Sequence, residues 1–490
     1  MLCPHGLPGG ATPLAPALEK PPPRPAPASL RAPEIESDPF PLYRRLRESS
    51  PLVYDEAFGA WLISRYADVR AALADPRLVT PGERPLAHTE GAEALLHSAL
   101  QEGALTAGIG RVAHVLASRL SARQEADLVT EFCQWLPAAA VVVALGLPRE
   151  ATARVRDWCL RGGGVPHVTA AVHGGTKDMG RAGGGSPRAG GGLREAPGGP
   201  WDALLRPLVA RRRTHPRADL LSVLCTARVD GRPLPDATVT GLAGTLLDAA
   251  AGTGHALASF LANLIDRPGQ LELIRAHPGF ISGAWAESLR RDPPLHIVLR
   301  RAAEPVGAIP AGATVACLPG AAGRDPARFT DPDRYDAFRA DAEDLARGTF
   351  RTDAEGPAYG AFRSDAGHLA YDSFRADAGD LEHGVFRTDA EGPAYGAFRS
   401  DAGHLAYDSF RADAEHLAYG ALSADAGVSA YTPLGIRPGN PGAELARRTA
   451  EHGLCALLAA LPQLRWVPGF RPRPEGLVSR SPRSLLVRLR

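Results

Sequence analysis

The sequence predicts a mainly α fold with small β-sheets, carried by one large domain. Three observations lead there. Apolar residues recur with helical spacing over long stretches, above all from Gly91 to Leu147 and from Pro235 to Arg290. The β-like runs are few, short and bounded by Gly or Pro turns. Finally, 44% of the 490 residues are hydrophobic, enough to fill a sizeable core.

Residues 1–32, which include PLAPALEKPPPRPAPASLRAP, are too rich in proline to pack and are expected to form a disordered tail before a domain over 33–490. In PFPLYRRLRE, Leu42, Tyr43 and Leu46 share a helical face. Leu52–Tyr54 and Trp61–Ile63 flank a turn as a hairpin, and YADVRAALADP reads as a short helix stopped by Pro76. The stretch Gly91–Leu147 is helical throughout, with an amphipathic RVAHVLASRL and an apolar WLPAAAVVVALGLP.

Residues 161–199 hold so much glycine that a flexible loop is expected, since each internal Gly costs about 1 kcal/mol against Ala in a helix. Helices resume at WDALLRPLVARRR, and two more cover about Pro235–Ile265 and Gly269–Arg290. HIVLRRAAEPVGAIPAGATVACLPG is β-like around a PAG turn, and GAELARRTAEHGLCALLAALPQLRW is helical.

Residues 338–427 interrupt this pattern with a twelve-residue repeat. Phe recurs at 338, 350, 362, 374, 386, 398 and 410, each time followed by Arg and then x-D-A. At about 100° per residue, this period carries successive Phe side chains around a helix rather than along one face. The unit is therefore expected to be a low-complexity insertion, with a folded binding array as the alternative, and the chain without it is the one to interpret.

Composition excludes some functions. With 55 basic against 54 acidic residues, the net charge of +1 gives no field that would gather nucleic acid or an anionic membrane surface. No run approaches the roughly 18 apolar residues of a membrane span, so a cytoplasmic protein is expected. Cys3, Cys133, Cys159, Cys225, Cys317 and Cys455 lie too far apart in sequence for a C-x-x-C pair, and no metal site is expected.

The most specific signal is AESLRRDPPLHIVLRRAAEP followed by IPAGATV and GAAGRDPARFTDPDRYD. Residues i and i+3 share a helical face, so Glu287 and Arg290 can pair. On these motifs the chain resembles a bacterial cytochrome P-450 from Pro39 to Arg490. The resemblance implies a cytochrome P-450-like fold with a low-complexity repeat insertion, and a buried structural triad of Glu287, Arg290 and Arg334.

That family's chemistry depends on a cysteine thiolate bound to haem iron. Here the matching loop reads PLGIRPGNPG, with Asn440 at the cysteine position and Pro438 two residues before it. Cys455 lies too far along the following helix to replace it. The family's acid and threonine fall on Ala251 and Gly252, with Thr253 next and Asp248 about one turn too early. HSALQ places His97 and Gln101 where the family often carries a His and an Arg for the haem propionates. Arg300 or Arg301 could match another propionate contact.

The resemblance therefore implies a haem-free branch, with no catalytic residue, no haem and no metal. Its members bind and activate a glycosyltransferase that attaches a deoxysugar to a polyketide-type aglycone. Two alternatives stay open: a haem-free cyclase or isomerase that uses the pocket, and a haem-thiolate monooxygenase.

Overall fold

Residues 29–32, placed in the tail from sequence, are packed. Leu30 is buried, and the Ser29 hydroxyl and the Leu30 amide donate to the Asp55 carboxylate at 2.7 and 2.8 Å. The same carboxylate accepts from the Phe58 amide at 3.0 Å, so one buried acid shapes the hairpin turn and pins the incoming chain. These contacts come from a computed structural model that describes residues 29–81, 90–101, 103–161, 200–229, 231–339 and 441–490. The expected tail before residue 29, the Gly-rich loop from 162, the repeat from 340 and Asn440 lie outside the described residues. The chain divides into Met1–Ala337 with Ala414–Arg490, and Phe338–Asp413.

Helices α1 (Pro33–Ser37) and α2 (Phe40–Ser49) open the larger unit, and α2 buries Leu42, Tyr43 and Leu46 as its spacing predicts. The hairpin forms β1 (Leu52–Asp55) and β2 (Ala60–Ile63), turned by Gly59 at φ 77°. Then come α3 (Tyr66–Ala74), which ends before Pro76, β3 (Leu78–Val79), α4 (Glu90–Gln101) and α5 (Gly103–Ser121).

The expected unbroken helical stretch is interrupted by β4 (Glu125–Asp127) and a π-turn at Val129–Cys133 before α6 (Leu136–Ala144) and α7 (Ala151–Leu160). After them stand α8 (Asp202–Thr214), α9 (Leu220–Thr226), β5 (Arg228–Val229), β6 (Arg232–Pro233) and the 30-residue α10 (Asp236–Ile265).

The helix expected over Gly269–Arg290 is two, α11 (Pro268–Ala276) and α12 (Ile281–Arg291). They part at Pro278, whose ring nitrogen has no proton for a helical bond. β7 (Val298–Ala302), β8 (Thr314–Cys317), α13 (Pro319–Ala322) and α14 (Pro441–Ala460) follow. The chain closes with β9 (Arg465–Trp466), β10 (Pro474–Glu475), β11 (Ser481–Pro482) and β12 (Leu486–Arg488).

The main sheet has the order β1-β2-β8-β7-β3, antiparallel except where β2 runs parallel to β8. The PAG turn lies between β7 and β8, with Gly312 at φ 81° and its amide on the Ala302 carbonyl. β4 exists only because β12, at the far end of the chain, pairs with it, Leu486 facing Asp127. The helical body centres on α10, which packs on α6, α7, α8, α12 and α14, while α14 also lies along α5. Such surroundings leave α10 buried nearly all round.

The expected triad holds α12 to the loop that follows α13. Arg290 grips Glu287 as a fork, Nε to Oε2 at 2.6 Å and Nη2 to Oε1 at 2.8 Å, and both side chains are 0% exposed. Arg290 also donates to the carbonyls of Gly323, Pro332 and Arg334 at 2.5, 2.9 and 3.2 Å, and the Asp336 amide donates back to Glu287 at 3.0 Å. The carbonyl of Arg334, the expected third member, accepts from Arg290, and the residue is exposed.

Removing one partner leaves the other charge buried and unpaired, which costs about 3–5 kcal/mol. Glu287→Ala is therefore expected to lower the melting temperature sharply or to give insoluble protein, with Arg290→Lys falling between it and the parent. Parent-like melting of both variants would contradict this role.

Candidate functional site

The middle of α10 carries Asp248, Ala251, Gly252 and Thr253, which the sequence singled out. Asp248, Ala251, Gly252 and, unflagged by the sequence, His255 stand at i, i+3, i+4 and i+7, so they share one stripe of the helix about 10 Å long. Ala251 and Gly252, at the expected acid and alcohol positions, bring no polar side chain. Thr253 is buried and spends its hydroxyl on the Ala249 carbonyl at 2.8 Å, one turn back in its own helix.

Asp248 is engaged in a different way. Its Oδ1 accepts from both indoles, Trp158 Nε1 at 3.0 Å and Trp201 Nε1 at 2.9 Å, and the residue is 3% exposed. Burial pushes its carboxyl up to about 7, against the pull of the two indole protons. Sequence reading missed both partners because they lie far from Asp248 in the chain.

At the other end of the stripe, His255 Nδ1 and Ser479 Oγ are 2.7 Å apart. Desolvation and Arg483 push the imidazole down to about 4, so it is neutral at pH 7. Arg300 on β7 is 1% exposed and donates through Nη1 to the Leu299 carbonyl at 3.0 Å, whereas Arg301 is exposed. His97 lies half-buried on α4.

Three of the five described cysteines are core thiols. Cys133, Cys225 and Cys317 are buried, Cys159 is half-buried and Cys455 is exposed, and all five are free. Burial raises every one of them, Cys159 and Cys317 to about 12. None is a thiolate near neutral pH. Among the described residues no group of His, Cys, Asp or Glu could hold a metal ion, and no helix is long and apolar enough to cross a membrane.

No protein-family profile matches the chain. A cytochrome P450 105C1 of a Streptomyces species is 31% identical over 324 residues, covering 62% of this chain and 78% of that protein. The epothilone C/D epoxidase of Sorangium cellulosum is 28% identical over 362 residues, covering 65% and 81%. A solved structure of the Bacillus subtilis cytochrome P450 PksS of the bacillaene polyketide synthase superposes with a TM-score of 0.59 at 18% identity. That superposition covers 94% of this chain and 99% of the other.

These findings correct one expectation. The relatives and structural neighbours are cytochromes P450, a family built around haem, so haem rather than no cofactor is what they imply here. A thiolate-ligated haem nevertheless does not fit the residues present. The described thiols are raised by burial, and the sequence has no cysteine between Cys317 and Cys455.

Thiol chemistry tests this arrangement. In native protein at pH 8, an alkylating reagent is expected to modify Cys455 while leaving Cys133 and Cys317 untouched until denaturant is added. Rapid native labelling of Cys133 or Cys317, read by peptide mass, would contradict it.

Proposed function

Because this chain belongs to the cytochrome P450 superfamily, we propose that it serves bacterial secondary metabolism as a member that does not carry out thiolate-driven oxygenation. It acts instead as an auxiliary partner of a glycosyltransferase that attaches a deoxysugar to a polyketide-type aglycone. The observation that carries this reading is the missing thiolate, together with an intact Glu287–Arg290 brace. The framework is kept while the ligand on which the family's oxygen chemistry depends is not.

The mechanism is linkage. A partner that binds only the active conformation of an enzyme stabilises that conformation, by about 2.7 kcal/mol when it is present at a hundred times its dissociation constant. No chemical step is required of the auxiliary chain.

A second reading, a haem monooxygenase, is favoured by the names of the relatives, which include an epoxidase. It needs an iron ligand that delivers the electron density of a thiolate, from a loop whose only side chains are Tyr431, Thr432, Pro433, Leu434, Ile436, Arg437, Pro438, Asn440 and Pro441.

Adding the purified chain to glycosyltransferases from natural-product clusters of the source organism is expected to raise the turnover and melting temperature of one of them. Unchanged turnover and melting for all of them, with no complex on size-exclusion chromatography, would overturn the auxiliary role.

A further inference from the structure

We propose that Asp248 is a protonation-controlled clasp: its buried carboxyl, taking both indole protons on one oxygen, ties α7 and Trp201, at the head of α8, onto α10, and its ionisation in that dry site loosens the tie. Both indoles converge on one oxygen, Trp158 from α7 and Trp201 from the residue before α8. Their rings meet edge-on at 5.4 Å, so the two helices share a single anchoring point on α10. Hydrogen bonds to an ionised acceptor are roughly twice as strong as those to a neutral one. Those stronger bonds offset only part of the cost of burying the charge, so the packed arrangement favours the protonated carboxyl.

The surroundings leave the state of Asp248 to its own proton. From α7 the ionisable neighbour is Cys159, whose thiol is held protonated by burial and by Asp248 itself. Arg156 of the same helix stacks over Trp135 and pairs with Asp157. On α8, Asp202 pairs with Arg206 and Arg212 with Asp219, while Arg213 pairs with Asp236 at the start of α10. α6 carries no ionisable side chain, and α9 carries only Cys225, beside the Val209 carbonyl.

Farther along α10, His255 is engaged by Ser479. On α12, Glu287 and Arg290 hold each other, as do Glu444, Arg447, Arg448 and Glu451 on α14, and Glu131 of the π-turn meets Arg123. Among the described residues, the two indole protons favour the ionised carboxylate, against its burial, and the balance lies near neutrality.

The sign follows from linkage. An unfolded aspartate ionises near its ordinary value of about 3.9, so between that value and about 7 the folded protein holds a proton that the unfolded chain lacks. Asp248 therefore lowers stability as pH rises through this window, and the loss is complete above it. Asp248→Asn keeps an oxygen for both indoles and never ionises.

The test is tryptophan emission of the full native chain between pH 5.5 and pH 8.5. The parent is expected to titrate with a midpoint near 7, and Asp248→Asn to lack that transition and to gain in melting temperature over the parent at pH 8 but not at pH 5. Trp158→Phe, which keeps a ring but removes one donor, is expected to move the midpoint upward. A flat parent profile, the same transition persisting in Asp248→Asn, or an unmoved midpoint in Trp158→Phe would each overturn the proposal.

Discussion

Two opposite charges sealed from water join α12 to the loop that follows α13. Glu287 and Arg290 face each other as a fork at 0% exposure, and every carbonyl that Arg290 reaches beyond its partner belongs to the loop after α13. Desolvating such a pair is expensive, and only good geometry with further hydrogen bonds offsets the cost. Here the offset comes from backbone groups, so the loop must follow one path. Gly323 shows how closely it runs: a Cβ there would stand 1.9 Å from the Arg290 carbonyl oxygen. Tyr335 closes the far side, its hydroxyl on the Ala284 carbonyl at 2.9 Å.

This brace makes no demand on the chemistry of the fold. It fixes α12 to its loop whether or not a metal is ligated elsewhere. The polar residues in the middle of α10 are likewise engaged by protein groups, Asp248 by two indoles, Thr253 by a carbonyl of its own helix and His255 by Ser479. Ala251 and Gly252, expected at the family's acid and alcohol positions, bring no polar side chain.

Much of the fold was legible because its signals are local. The spacing of Leu42, Tyr43 and Leu46, the Pro76 stop and the PAG turn each act within a few residues, and each forms as expected. The Glu287–Arg290 pair was legible for the same reason, being one turn of one helix. What escaped depended on distant partners. β4 is a strand only because β12 pairs with it, and residues 29–32 are packed only because Asp55 accepts from them. Asp248 seemed merely displaced by a turn until Trp158 and Trp201 came to it from two other helices. The stripe linking Asp248 to His255 was written in their spacing of seven residues, but nothing local marked it as polar surface meeting polar partners.

The central claim is that this P450-family chain has no thiolate to place on iron. The absorbance spectrum of the purified protein, supplied with haem, reduced and exposed to carbon monoxide, tests it most directly. The account predicts that the red-shifted Soret band of a thiolate–haem–carbon monoxide complex is missing at every haem concentration. A stoichiometric band of that type would contradict it, because it would require a cysteine ligand that the loop around Asn440 does not contain.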